Sequence, residues 1–153
     1  MTHLPTIDLQ NIPSSWRKAA PPPSGGNPVK VYRGFARRVN HHAQSVVRST
    51  DVAAGGILSR DPAAAHDAVY NQYGRDPVLN GEDQGGVVEI TIQADLWDEL
   101  VATHNITERD GYPGFSRRIS TTELRVNSQE AAQAINRCPR RIIAPKGEFD
   151  FRG

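Results

Sequence analysis

The chain has a single cysteine, Cys138, in 153 residues. That count excludes an intrachain disulfide and a cysteine-based zinc cluster, and it makes a reducing cytoplasm the expected place of action. Long apolar runs are also missing. No stretch reaches the roughly 18 residues of a membrane span, and the N-terminus shows neither the basic nor the apolar region of a signal peptide, so no membrane partner is expected. A one-sided charge is absent as well: eighteen Lys and Arg stand against seventeen Asp and Glu, a formal net charge of +1. That balance argues against the broad basic field of a general nucleic-acid binder. The sum conceals an uneven distribution, because residues 82 to 110 are mostly acidic while Arg117, Arg118, Arg137, Arg140 and Arg141 make the last third basic.

What is abundant is turn-forming residue, with 13 glycines and 11 prolines. A loop-rich α+β domain follows more naturally than a helical bundle. Residues 1–28 read as a flexible Pro/Gly-rich arm, since "NIPSSWRKAAPPPSGGNP" favours extended chain, although Trp16 could dock on the body. Residues 29–153 read as one domain. Val29 and Val31 alternate with Lys30, Tyr32 and Arg33, which predicts a strand over 29–33. A short helix is expected around 40–48, ended by Gly55 and Gly56, and another from Pro62 to Tyr73, with a loop after it. "GVVEITIQ" at 86–93 is the clearest strand, and "DLWDELVATH" reads as an amphipathic helix capped by Asp95. "NITERDGYPGFSRR" reads as a loop, "ISTTELRV" at 119–126 as a strand, "NSQEAAQAINRC" as a helix opened by Asn127 or Ser128, and "RRIIAPKGEFDF" as a strand, a turn and a terminal strand.

Periodicity does not decide "ILS" at 57–59, yet it ends in a serine just before "RDPAAAHDAVY". Ser59 or Asp61 can cap the helix that Pro62 starts. A second use appears when Ser59 is set beside two other polar residues on or near strands, Arg33 in "VYRG" and Glu123 in "STTEL". Arginine presents a planar fork of donors to the phosphates of a dinucleotide or to a ribose beside them. A glutamate can bond a ribose hydroxyl and stabilise positive charge at the anomeric carbon. Serine can hold that glutamate. Together they would suit cleavage of the nicotinamide–ribose bond of NAD.

The ordered set "VYRG", "GGILS" before an alanine-rich helix, "GGVVEITI", and an aromatic loop leading to a strand glutamate resembles the Arg-Ser-Glu class of ADP-ribosyltransferases, especially bacterial toxin domains. It spans about residues 29–143. The resemblance implies a split, antiparallel-rich sheet with flanking helices, a catalytic set of Glu123, Arg33 and Ser59, and an NAD contact through Arg33, Gly34 and Ser59. It further implies that the loop from Glu108 to Arg118 recognises substrate, with Tyr112 and Phe115 as target-binding aromatics. NAD would be the substrate and no metal would be needed. ADP-ribose would pass to a macromolecule, protein or nucleic acid, or to water. Delivery into a target cell and a cognate immunity protein are further implications.

Two departures stand out. The family often shows Ser-Thr-Ser where this chain has Leu58-Ser59-Arg60, which leaves Ser49-Thr50 as a rival. Arginine-modifying members carry a second glutamate two residues before the catalytic one, where this chain has Thr121, so arginine is not the expected acceptor. Glu89 and Glu148 are rival carboxylates. Two other functions stay open: a metal-independent ribonuclease using His41 and His42 with Arg48, Arg117, Ser120 and Thr121, and a non-catalytic binding module presenting "FSRR" and "RCPRR". A metal site is not expected, because adjacent histidines point to different sides of a helix or strand.

Overall fold

Alternating apolar residues build the frame, in a computed structural model that describes residues 4–17, 20–35, 50–62, 86–110 and 122–144. Strand β1 (Val29–Phe35) and the short β2 (Ile57–Ser59) meet at one pair, Tyr32 with Ser59. Strand β3 (Gly86–Ile92) runs antiparallel along the whole of β1, from Val29 opposite Ile92 to Phe35 opposite Gly86. Strand β4 (Ile106–Asp110) pairs with β5 (Thr122–Val126), β5 pairs with β2, and β6 (Arg140–Ala144) lies beside β3. Among the described residues the result is a mixed α+β structure around one six-stranded antiparallel sheet in the order β4-β5-β2-β1-β3-β6.

One sheet face is apolar. Val31, Leu58, Ile90, Leu124 and Val126 meet two helices there, α1 (Ala94–Ala102) through Trp97 and Leu100 and α2 (Gln129–Asn136) through Ala131 and Ile135. Burying each large apolar side chain contributes about 1.5–3 kcal/mol, so this face dominates stability. Ser128 caps α2 as its sequence suggests, its Oγ accepting the Ala131 N–H at 3.0 Å. α1 differs from expectation. Its cap is Gln93 without a side-chain bond, and Asp95 stands inside the first turn, where its charge favours the helix N-terminus and its Oδ1 accepts the Leu96 N–H at 2.9 Å.

Three further expectations change. The segment read as a loop from 105 begins instead with β4, because Ile106 is buried against Val126 and the β-hairpin partner supplies the hydrogen bonds that local periodicity does not reveal. β1 extends past 33 to Phe35. The arm is docked where it is described. The Ile7 N–H donates to the Thr103 carbonyl at 2.9 Å, Asn105 Nδ2 to the Pro5 carbonyl at 2.6 Å, and Trp97 Nε1 to the Pro22 carbonyl at 2.9 Å, while Ile12 and Trp16 are buried. Proline-rich composition describes the arm's backbone, but the body's side chains hold it in place.

The helix around 40–48, the helix beyond Pro62 with its following loop, and the terminal strand after Ala144 lie outside the described residues. Among the described residues, no helix is long and apolar enough to cross a membrane.

Candidate functional site

Directly paired residues of neighbouring strands present their side chains on the same face of a sheet. Followed outward from Glu123, the pairs form one continuous row. Arg109 of β4 lies opposite Glu123 of β5, Glu123 opposite Ser59 of β2, Ser59 opposite Tyr32 of β1, Tyr32 opposite Glu89 of β3, and Glu89 opposite Arg141 of β6. This polar row crosses all six strands on the face opposite the Val31, Leu58, Ile90 and Leu124 core. It holds two carboxylates, two hydroxyls between them and an arginine at each end.

A tight turn delivers Ser59 to the row. The Gly55 N–H donates to the Val126 carbonyl at 2.7 Å and the Val126 N–H to the Gly56 carbonyl at 3.0 Å, which docks the start of β2 against β5. Gly55 has φ +83°, a conformation that favours glycine. These glycines therefore open β2. Two residues further on, the Ser59 hydroxyl accepts the Asp61 N–H at 3.0 Å and lies 3.1 Å from the Asp61 carbonyl. Ser59 thus closes a local turn with Asp61 while lying opposite Glu123 across the strands.

Glu123 is 8% exposed, and Arg109 Nε donates to its Oε1 at 3.1 Å. The Arg109 guanidinium in turn lies 4.1 Å over the ring centroid of Trp16, close enough for a cation–π contact. Glu89, 7% exposed, is more heavily bound: Arg141 Nε donates to Oε1 at 2.9 Å, the Tyr32 hydroxyl donates to Oε2 at 3.2 Å, and Lys30 Nζ stands 3.7 Å away. Burial pushes the Glu89 carboxyl up, but the Arg141 and Tyr32 hydrogen bonds and the Arg141 and Lys30 charges outweigh it, so the group sits below the usual carboxylate value. Burial and the Glu89 charge beside it push the Tyr32 phenol up. A pinned, ionised Glu89 is a structural anchor, whereas Glu123 has Arg109 as its hydrogen-bond partner at the β4 end of the row.

The proposed trio is only partly assembled. Ser59 and Glu123 are cross-strand neighbours, but Arg33 follows Tyr32 and so shares the face of Val31, opposite Val88. Gly34 lies next along β1, opposite Val87. The arginine bonded to Glu123 is Arg109, which sequence reading placed in a loop, where no alternation marked it. Glu108, expected to begin the recognition loop, is in β4 on the core-side face and pairs with Arg60 at 2.7 Å. Thr50 is buried, with its carbonyl accepting from Arg140 Nη1 at 3.0 Å. Tyr112, Phe115, His41, His42, Arg48, Ser49, Arg117, Arg118, Ser120, Thr121 and Glu148 lie outside the described residues.

Among the described residues, no group of three His, Cys, Asp or Glu side chains is placed to hold a metal ion. No protein-family model matches the chain, and no curated protein or solved structure matches it.

Proposed function

We propose that the chain cleaves the nicotinamide–ribose bond of NAD and passes ADP-ribose to a macromolecule or to water, as an ADP-ribosyltransferase-like toxin domain. The observation that carries the reading is the register that sets Ser59 of β2 directly across from Glu123 of β5, beside the strand that bears Arg33. The narrow join between β1 and β2 supports it too, since a sheet held by one pair at its middle can open a cleft there. In this reading Glu123 bonds a ribose hydroxyl and stabilises the oxocarbenium-like transition state, and Ser59 orients the reacting ribose. For Arg33 to grip the phosphates, the dinucleotide has to pass the end of β1 toward the Val31 face. Tyr112 and Phe115 meet the acceptor. That acceptor is not arginine, given Thr121, and a cognate immunity protein would protect a producing cell.

NAD consumption by the wild type and by Glu123→Gln, each confirmed as folded by circular dichroism, tests the proposal. Turnover should fall a hundredfold or more in the variant, about 2.7 kcal/mol of transition-state stabilisation. Absence of both NAD binding and turnover in the wild type, with and without cell lysate as acceptor, would overturn it.

A further inference from the structure

The row's end at β4 is tied to the N-terminal segment through three groups in contact. Trp16, 5% exposed, lies under the Arg109 guanidinium at 4.1 Å, and Arg109 Nε bonds Glu123 Oε1 at 3.1 Å. The segment that bears Trp16 is itself closed: Arg17 Nε donates to the Ile12 carbonyl at 2.7 Å and Nη2 to the Gln10 carbonyl at 3.2 Å, which fixes the turn at Ser14–Trp16. Upstream, the Leu4 N–H donates to Glu99 Oε2 at 3.2 Å and the Ile7 N–H to the Thr103 carbonyl at 2.9 Å, so the segment is held to α1 and the turn after it.

An arginine bonded through Nε is free to swing unless its plane is held, and an indole face holds it by stacking and by its quadrupole. A carboxylate bonded through one oxygen keeps that oxygen's direction only as well as its partner keeps still. We infer that Arg109 is a positioning residue for Glu123, and that Trp16, brought from the N-terminal segment, fixes Arg109 for that purpose. The inference rests on the NAD-cleaving reading and adds to it. In this reading the segment is part of the site's machinery.

The experiment is steady-state NAD turnover by the full chain and by Arg109→Gln, Arg109→Lys, Trp16→Leu and Arg109→Gln with Trp16→Leu, each checked by circular dichroism and thermal melting. Loss of a charge-assisted hydrogen bond used in the transition state lowers kcat by about 10- to 100-fold in Arg109→Gln, with KM for NAD changed by less than about threefold. Arg109→Lys recovers part of that loss. Trp16→Leu lowers kcat less, and adding it to Arg109→Gln lowers kcat no further, because both act through one group. Wild-type kcat in Arg109→Gln, a higher kcat, or independent effects of the two substitutions overturns the inference and leaves the NAD reading standing. If Arg109→Gln does not fold, Arg109→Lys and Trp16→Leu decide it by the same kcat and KM split. No turnover in the wild type overturns the reading and the inference together.

Discussion

Glu89 shows how a residue's neighbours outweigh its burial. Arg141, Tyr32 and Lys30 hold its carboxyl below the ordinary value despite desolvation. A carboxyl depressed in the folded state binds its proton later than in the unfolded chain, so its contribution is present above the unfolded value of about 4.3 and is lost as pH falls through the lower folded value. Glu89→Gln should therefore lower the urea midpoint at pH 7, and the gap from wild type should close as pH drops below the usual carboxylate range. A constant gap from pH 7 to pH 2 would show that the charge plays no part. Glu123 stands a few strands away with a different partner set, and Glu123→Gln is the substitution expected to reach activity.

At the scale of elements, the turn before β2 decides whether Ser59 reaches Glu123. A Cβ added at Gly56 would lie 2.6 Å from Val52 Cγ2 and 2.8 Å from the Ala53 carbonyl oxygen. Backbone cannot yield there as a side-chain tip can. Gly56→Ala should cost about 1–3 kcal/mol in chemical denaturation. If the pairing of β2 with β5 positions the site, the surviving folded fraction should also turn over NAD more slowly. The start of α2 offers a separate test. Ser128 Oγ caps Ala131 and donates to Asn105 Oδ1, joining the helix to the turn before β4. Ser128→Ala should cost about 1–2 kcal/mol, with activity per folded molecule kept.

For the whole molecule, the main consequence is that the N-terminal segment belongs to the folded body. Ile12 is 1% exposed although it lies in a stretch whose composition suggests a linker. Ile12→Ala should lower global stability by about 2–4 kcal/mol, read as a shift of a single unfolding transition. A change below about 0.5 kcal/mol, the range of ordinary surface substitutions, would mean that the segment contributes little. Trp16 depends on the same docking, so Ile12→Ala should also weaken the hold on Arg109.

Local pattern alone determined most elements. Alternation in "VVEITI" and "VKVY" marks β3 and the start of β1, the amphipathic spacing of Leu96, Leu100 and Val101 marks α1, and Ser128 marks the start of α2. Each is a short-range property that neighbouring residues enforce. The sequence also put Ser59 and Glu123 forward as candidates, by residue type and by a resemblance in motif order. Only the tertiary structure decided which face each polar residue occupies, because a strand's register is set by its partner: one pair, Tyr32 with Ser59, places Glu123, Ser59 and Glu89 in a row and turns Arg33 away. It likewise decided that Arg109 joins Glu123 and that Trp16 covers Arg109. β4 is too weakly patterned to be read alone, and the N-terminal segment is held by groups about 100 residues distant in the chain, the Thr103 carbonyl and the Asn105 side chain.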